Sequence, residues 1–238
     1  MKYKKLIFYL DGTLVSDRES MKYAFCCVLK ELGITPSKNL ALEWLKFDDA
    51  YWHEIESGRT VFPEYVQTKE DRRVYAQAMR FVLFFESFPI SFEQAIHFND
   101  VYCENLGMNI VPILGAEEVL CFLKENYEIY IATNGPRRSA LKKLENANLS
   151  SYISGVLSSE DAGITKPSKI FFDSLFQMMQ YPHKEEALMI GDGITTDILG
   201  GMQYGIDTCL FNPNNNQIPI DCKPTMSVQS LLELKRKL

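Results

Sequence analysis

Apolar and polar positions change rhythm twice along the chain. The run Leu6-Ile7-Phe8-Tyr9-Leu10, within residues 4–10, stops at Asp11-Gly12. A stretch this short and this uniformly apolar predicts a strand buried on both faces, as in a parallel sheet. From about 17 to 106 no strand pattern emerges, and apolar residues recur at helical spacing. Tyr23, Phe25, Val28, Leu29 and Leu32 predict one helix, stopped by Gly33. Leu42, Leu45, Trp52 and Ile55 predict a second, stopped by Gly58. A third is expected from about Pro63 to Phe85, with Thr60 or Phe62 near its start and Pro89 beyond its end. Ser91 opens a fourth, and Gln94 three residues later completes a capping-box pattern. Four successive helices suit a small bundle.

Beyond about residue 110, strands and helices alternate. Helix Ala116–Asn126 leads into strand Glu128–Ala132. Pro136 sits where a first helical turn begins, and that helix runs to about Asn148. Val156-Leu157 read as a short strand, and Pro167 introduces helix Ser168–Met179. Strand Ala187–Ile190 is followed by Gly191-Asp192-Gly193 and a helix to about Tyr204, stopped by Gly205. Asp207–Phe211 is a further strand, Asn212–Pro219 a polar loop, and Ser227 is expected to cap a last helix. Alternation of this kind predicts an α/β fold with a parallel sheet flanked by helices. The helical block reads as an insertion after the first strand, giving a core of 1–15 with 108–238 and a helical domain of 16–107.

Composition narrows the function classes. The chain has 238 residues, 46% hydrophobic and 24% charged, enough for a sizeable core without disulfides. Its 25 basic and 31 acidic residues give a net charge of −6, and no basic run offers a footprint for nucleic acid. No apolar run approaches the roughly 18 residues of a membrane helix. The basic start Met1–Lys5 precedes an apolar stretch too short for a signal peptide, so a cytoplasmic location is expected. Cys26, Cys27, Cys103, Cys121, Cys209 and Cys222 form no C-x-x-C pair and are expected as buried, reduced thiols. His53, His97 and His183 show no zinc-ligand spacing. There is no G-x-S-x-G elbow, Walker A loop or dinucleotide fingerprint.

Candidate chemistry lies where open parallel sheets bind ligands, at the carboxyl ends of the strands. Four polar clusters fall there in order: Asp11-Gly12-Thr13, Thr133-Asn134-Gly135, Lys166-Pro167, and Gly191-Asp192 with Asp197. Each alone has a plain structural use, as a turn, a helix lead-in or a first-turn acid. Together they suit a phosphate beside a divalent cation. Magnesium takes oxygen ligands, often one or two carboxylates plus phosphate oxygens. Thr133 and the Asn134 amide can bond phosphate oxygens, Gly135 lets backbone approach closely, and Lys166 offsets negative charge.

Leu10-Asp11-Gly12-Thr13-Leu14, Ile131-Ala132-Thr133-Asn134-Gly135, Lys166-Pro167 and Gly191-Asp192-Gly193 with Asp197 resemble the four motifs of the haloacid dehalogenase (HAD) superfamily. Ser159–Gly163 and the stretch from Asp197 to Gly201, continuing through Asp207-Thr208-Cys209 and Asn212-Pro213, resemble its bacterial pyrimidine 5′-nucleotidase group, the YjjG/YfnB-like proteins. The resemblance implies a Rossmann-like core with a C1-type helical cap. It further implies Mg2+-dependent hydrolysis of a small phosphorylated metabolite, with nucleoside 5′-monophosphates as the expected class. It makes Asp11 the general acid/base and, through its backbone carbonyl, a metal ligand. Asp192 becomes a metal ligand and Asp197 a ligand or orienter. Thr133, Asn134, Gly135 and Lys166 hold phosphate. Trp44, Phe47, Tyr51 and Trp52 are candidate stacking surfaces for a base, against the plainer use of packing in the bundle. A monomer or weak homodimer is expected.

One position departs from the pattern. The attacking aspartate of such enzymes stands two residues before the acid/base, and residue 9 is tyrosine. A phenol, with a pKa near 10, is mostly protonated and a poor magnesium ligand. Residue 9 is therefore an introduced change in an active lineage, the mark of a non-catalytic phosphate-binding or regulatory relative, or a bystander to some other nucleophile. Phosphomutase or dehalogenase chemistry on the same core is a further alternative, although a dehalogenase would not need the metal.

Overall fold

The computed structural model describes residues 2–56, 58 and 60–238. Met1, Ser57 and Arg59, which fall within the ranges assigned above to core and helical domain, lie outside the described residues. In chain order the core begins with β1 (Lys5–Phe8) and β2 (Val15–Ser16). Helices α1 (Arg18–Glu31), α2 (Lys38–Glu56), α3 (Lys69–Phe84) and α4 (Phe92–Asn105) follow. Then come β3 (Leu106–Asn109), β4 (Val111–Pro112), α5 (Ala116–Lys124), β5 (Glu128–Thr133) and α6 (Arg137–Asn146). After these lie β6 (Gly155–Ser158), α7 (Ser159–Ala162), α8 (Lys169–Met178) and β7 (Ala187–Gly191). The chain closes with α9 (Gly200–Tyr204), β8 (Asp207–Phe211), β9 (Met226–Val228) and α10 (Leu234–Lys237).

The chain forms two compact units, one running up to Asp17 and resuming at Asn109–Leu238, the other Arg18–Met108. The first is built on a six-stranded parallel sheet ordered β6-β5-β1-β7-β8-β9. Strand alternation distributes side chains to two apolar layers. Leu6 and Phe8 of β1, Ile129 and Ile131 of β5, and Leu188 and Ile190 of β7 pack with α5 and α6. Ile7, Tyr130, Ala132, Ala187 and Met189 pack with Phe171, Phe172 and Leu175 of α8. Helices thus cover both faces, which is why these strands read as continuous apolar runs. β1 lies between β5 and β7, so the strand order reverses beside it, the place where open α/β sheets bind ligands.

The second unit is helical. Phe25, Val28, Trp44, Leu45, Phe81, Phe98 and Tyr102 form its core. Trp44 is fully buried, stacked between Phe25 at 4.5 Å and Phe81 at 4.8 Å. It is a core side chain, which removes it as a stacking surface for a base. The buried Arg80 guanidinium bonds Asp48 and Asn99, both at 2.9 Å.

Several expectations need correction. Helix α3 starts at Lys69, because Thr68 and Asp71 form a reciprocal capping box and Pro63 lies ahead of the helix. Pro136 occupies the N-cap position of α6, outside the first turn. Ser227 lies within β9; the last helical segment is capped by Ser230, whose hydroxyl accepts from Leu232 N–H. Residues Ile194–Leu199 form a widened π-helical turn ahead of α9. Only Cys209 and Cys222 are buried, Cys121 is exposed, and none of the six forms a disulfide. No helix among the described residues is long and apolar enough to cross a membrane.

Candidate active site

Register brings the polar clusters to one level. Phe8 pairs with Ile131 of β5 and Ile190 of β7, and Tyr9 N–H continues the ladder to Ile190 C=O at 2.9 Å. The residues that leave these strands therefore meet at the same end of the sheet: Tyr9 and Asp11, Thr133 to Gly135, and Asp192.

Tyr9 keeps the alternation of β1 and packs beside Ile7 on the α8 face. Its ring lies under the Lys166 ammonium, 4.1 Å from Nζ to the ring centre. Burial, reinforced by the negative charges of Asp11, Asp197 and Asp192, pushes its phenol well above the usual tyrosine range. The hydroxyl is therefore held neutral and is a poor nucleophile.

Lys166 is buried. Its ammonium donates to Ala132 C=O at 2.8 Å and to Asp197 Oδ1 at 2.5 Å. The other Asp197 oxygen accepts from Gly193 N–H at 3.1 Å. Asp197 has no solvent face, and its oxygens are turned to Lys166 and Gly193. It is placed to support Lys166.

Thr133 and Gly135 form a tight loop, in which Gly135 N–H donates to Thr133 Oγ1 at 3.0 Å. Asn134 reaches the site in a different role from the one expected. Its side chain accepts from Lys166 N–H at 2.8 Å and donates to Lys166 C=O at 3.2 Å. The amide clamps the lysine loop instead of facing a phosphate.

Thr13 was not singled out, although it lies in the first motif. Its hydroxyl donates to Asp192 Oδ1 at 2.8 Å and accepts from Asp192 N–H at 3.1 Å. Gly12, at φ +78°, could not carry a side chain, since a Cβ there would lie 2.4 Å from Asp192 Oδ2. Burial raises the Asp192 carboxyl to about 6; the Thr13 hydrogen bond pulls it down and the Asp197 charge pushes it further up. A carboxylate pressed toward protonation in this way gains from a nearby cation, and hard oxygen donors suit magnesium. Asp192 thus fits such an ion. Among the described residues no group of three or more acidic, histidine or cysteine side chains gathers around a single point.

Lys143 was missed altogether. It sits on the buried face of α6 with Ala140 and Leu144. Its ammonium bonds Asp11 Oδ1 at 2.6 Å and Asp17 Oδ2 at 3.3 Å. Burial works against its charge, but Asp11 and Asp17 together outweigh that and hold its pKa above the usual lysine value. Burial pushes the Asp11 carboxyl up against the pull of Lys143. The only sequence signal was a lysine on the apolar stripe of a helix.

A model of the haloacid dehalogenase-like hydrolases matches residues 4–205. The pyrimidine 5′-nucleotidase PynA of Streptococcus pneumoniae is 30% identical over 235 residues, covering 98% of this chain and 94% of its own. The HAD-hydrolase YfnB of Bacillus subtilis is 26% identical over 233 residues, covering 98% and 94%. A crystal structure of YfnB bound to magnesium matches with a TM-score of 0.86 at 24% identity, over 100% of this chain and 99% of that one. At that identity the structural match shows a shared fold.

Proposed function

Because the chain belongs to the haloacid dehalogenase-like hydrolases, and to their YjjG/YfnB group, we propose that its site is that of a magnesium-dependent phosphomonoesterase for nucleoside 5′-monophosphates. Tyr9 stands at the nucleophile position and leaves the chain able to bind such a substrate without hydrolysing it. The observation that carries this reading is the meeting of Asp11, the Thr133–Gly135 loop and Asp192 at the carboxyl ends of three adjacent strands, with Lys166 reaching them from the α7–α8 loop, around a neutral phenol. The pyrimidine 5′-nucleotidase names of PynA and YjjG support the substrate class.

Asp192 and the main-chain carbonyl of Asp11 would hold magnesium, which when bound neutralises phosphate charge and favours attack at phosphorus. Thr133 and Gly135 hold phosphate oxygens, and Lys166 offsets their charge. With a carboxylate at residue 9, that group attacks phosphorus and the bond to the ribose 5′ oxygen breaks. Asp11 gives its proton to the departing oxygen. Asp11, now a carboxylate, takes a proton from water as the water attacks the acyl phosphate; this frees phosphate and restores both carboxyl groups. In this reading residues 16–107 are the cap, and the chain works in the cytoplasm as a monomer or weak homodimer.

The test is phosphate release from 4-nitrophenyl phosphate and a nucleotide panel, with magnesium, for this chain and for Tyr9→Asp. Release by Tyr9→Asp alone is expected, with nucleotide binding by the unaltered chain in calorimetry. Equal release by both would remove residue 9 from the nucleophile role. A second reading, a regulatory phosphate-binding protein, is favoured by the lysine-capped phenol and would be supported by nucleotide binding with no hydrolysis in either form.

A further inference from the structure

Lys143 has no part in the chemistry assigned to Asp11, Thr133, Lys166 and Asp192, yet it is built into the same site. Its side chain is only 6% exposed, and burial of an ammonium is tolerated only with close ionic partners. Both partners are carboxylates of the core unit. Asp11 is the acid/base candidate, and Asp17 is the last core residue before the helical unit. The grip on Asp11 is one-sided, because Lys143 takes Oδ1. The free Oδ2 lies 3.9 Å from where a Cβ on Gly135 would stand, facing the Thr133–Gly135 loop. That loop is itself pinned by its internal hydrogen bond. Asp17 supplies the second anchor that stops the flexible lysine from swinging.

We propose that Lys143 is the positioning residue of Asp11, fixing its carboxyl so that Oδ2 alone is presented to the leaving oxygen beside the phosphate loop. The inference rests on Asp11 being the proton donor of the function proposed above. Its chemical consequence is selective. A ribose 5′ oxygen cannot leave as an alkoxide and needs the Asp11 proton as the P–O bond breaks. A nitrophenolate leaves as an anion and does not. Misplacement of Asp11 therefore harms cleavage of a nucleotide far more than cleavage of an aryl phosphate. A purely structural lysine would harm both alike.

The experiment uses the full chain carrying Tyr9→Asp, with Lys143→Met, Lys143→Arg or Asp17→Asn added. kcat/KM is measured with magnesium on uridine 5′-monophosphate and on 4-nitrophenyl phosphate. Lys143→Met is expected to lower the nucleotide value about 100-fold, the lower range of a general acid's contribution, and the aryl value only slightly. Lys143→Arg, which keeps a charged donor, restores most of the nucleotide rate. Asp17→Asn gives a smaller loss of the same selectivity and serves if Lys143→Met does not fold. Equal losses on both substrates would overturn the proposal. Crystal structures of Lys143→Met and Asp17→Asn provide a readout without turnover: Oδ2 turned away from Gly135 is expected, and an unmoved Asp11 would overturn it. If Tyr9→Asp hydrolyses neither substrate, the proposed function fails, and the position of Asp11 in those crystals still decides the role of Lys143.

Discussion

Lys166→Met tests how far the buried pair at the centre of the site holds the core together. Lys166 and Asp197 are both without side-chain exposure, and their contact is 2.5 Å. Removing one partner of a buried ion pair costs about 3–5 kcal/mol, because the other charge stays behind unpaired. Here Asp197 would keep the Gly193 N–H and a long bond from the Thr196 hydroxyl at 3.4 Å, and Ala132 C=O would lose a donor, a further loss of about 1 kcal/mol. Methionine fills much of the lysine volume and packs on the Tyr9 ring, which recovers part of this. The expected net loss is about 3–5 kcal/mol. Asp197→Asn leaves the ammonium with Ala132 C=O and the Tyr9 face, a contact worth about 2 kcal/mol when desolvated, so its loss is smaller.

The decisive quantity is the double variant. With both charges gone, the loss in Lys166→Met/Asp197→Asn should fall short of the sum of the two single losses by about 1–3 kcal/mol, the coupling expected of groups in direct contact. Urea unfolding at pH 7.5, followed by far-UV circular dichroism, measures it. Tryptophan emission does not report on the sheet, because Trp44 and Trp52 both lie in α2. Simple additivity of the two single losses would refute the argument, since it would mean that the two side chains do not share one charge balance.

Three further outcomes are expected. Arg80→Leu leaves Asp48 buried without its partner and should destabilise the helical unit by about 3–5 kcal/mol in urea titrations read by tryptophan emission, whereas Arg80→Lys should lose less. The Asp192 carboxyl titrates near 6 when folded, above its ordinary 3.8. The unfolded chain therefore releases this proton first, and the contribution of Asp192 to stability falls as pH rises from about 4 to 6. Asp192 keeps some solvent contact although its carboxyl is largely enclosed, so solvent screens the effect to about 1 kcal/mol; Asp192→Asn should show that gain at pH 7.5 and none near pH 4. Gly12→Ala combines a left-handed backbone with a 2.4 Å overlap on Asp192 and should cost at least about 1–2 kcal/mol in urea unfolding.

Strands buried on both faces were the most legible part of the fold. β5, β7 and β8 follow directly from apolar runs, because helices cover the sheet above and below. β9 escaped notice because it is a three-residue edge strand with an exposed serine at its centre, and Ser227 looked like a cap. The start of α3 was misplaced because proline is a common first helical residue, while the local hydrogen bonds that set the start belong to Thr68 and Asp71. At the site, the strand-end residues were legible and their pairings were not. Asn134 in a polar loop gives no sign that its amide is directed at Lys166. A lysine between Ala140 and Leu144 looks like a solvated position until Asp11 and Asp17, more than a hundred residues earlier, fold onto it.

These pairings change what the motif residues signify. Asn134 clamps the Lys166 loop, Asp197 neutralises Lys166, and Thr13 fastens the turn that carries Asp192. Each supports the fold as well as a reaction, since its loss would leave a buried charge or a polar group without a partner. Their presence beside Tyr9 is therefore accounted for by folding alone and is weak evidence for turnover. The informative groups are those the fold does not need in their present form. The Asp11 Oδ2 faces the Thr133–Gly135 loop, while burial holds the Asp192 carboxyl near 6. A protein that no longer met a phosphate or a cation would be more stable with a neutral amide at Asp192. The stability of Asp192→Asn at neutral pH, set against its loss of a magnesium-induced rise in Tm, thus separates a site kept for a ligand from one kept by packing. A gain in stability together with loss of the magnesium response means that the carboxylate serves binding. No magnesium response in the unaltered chain or in Tyr9→Asp would refute that account.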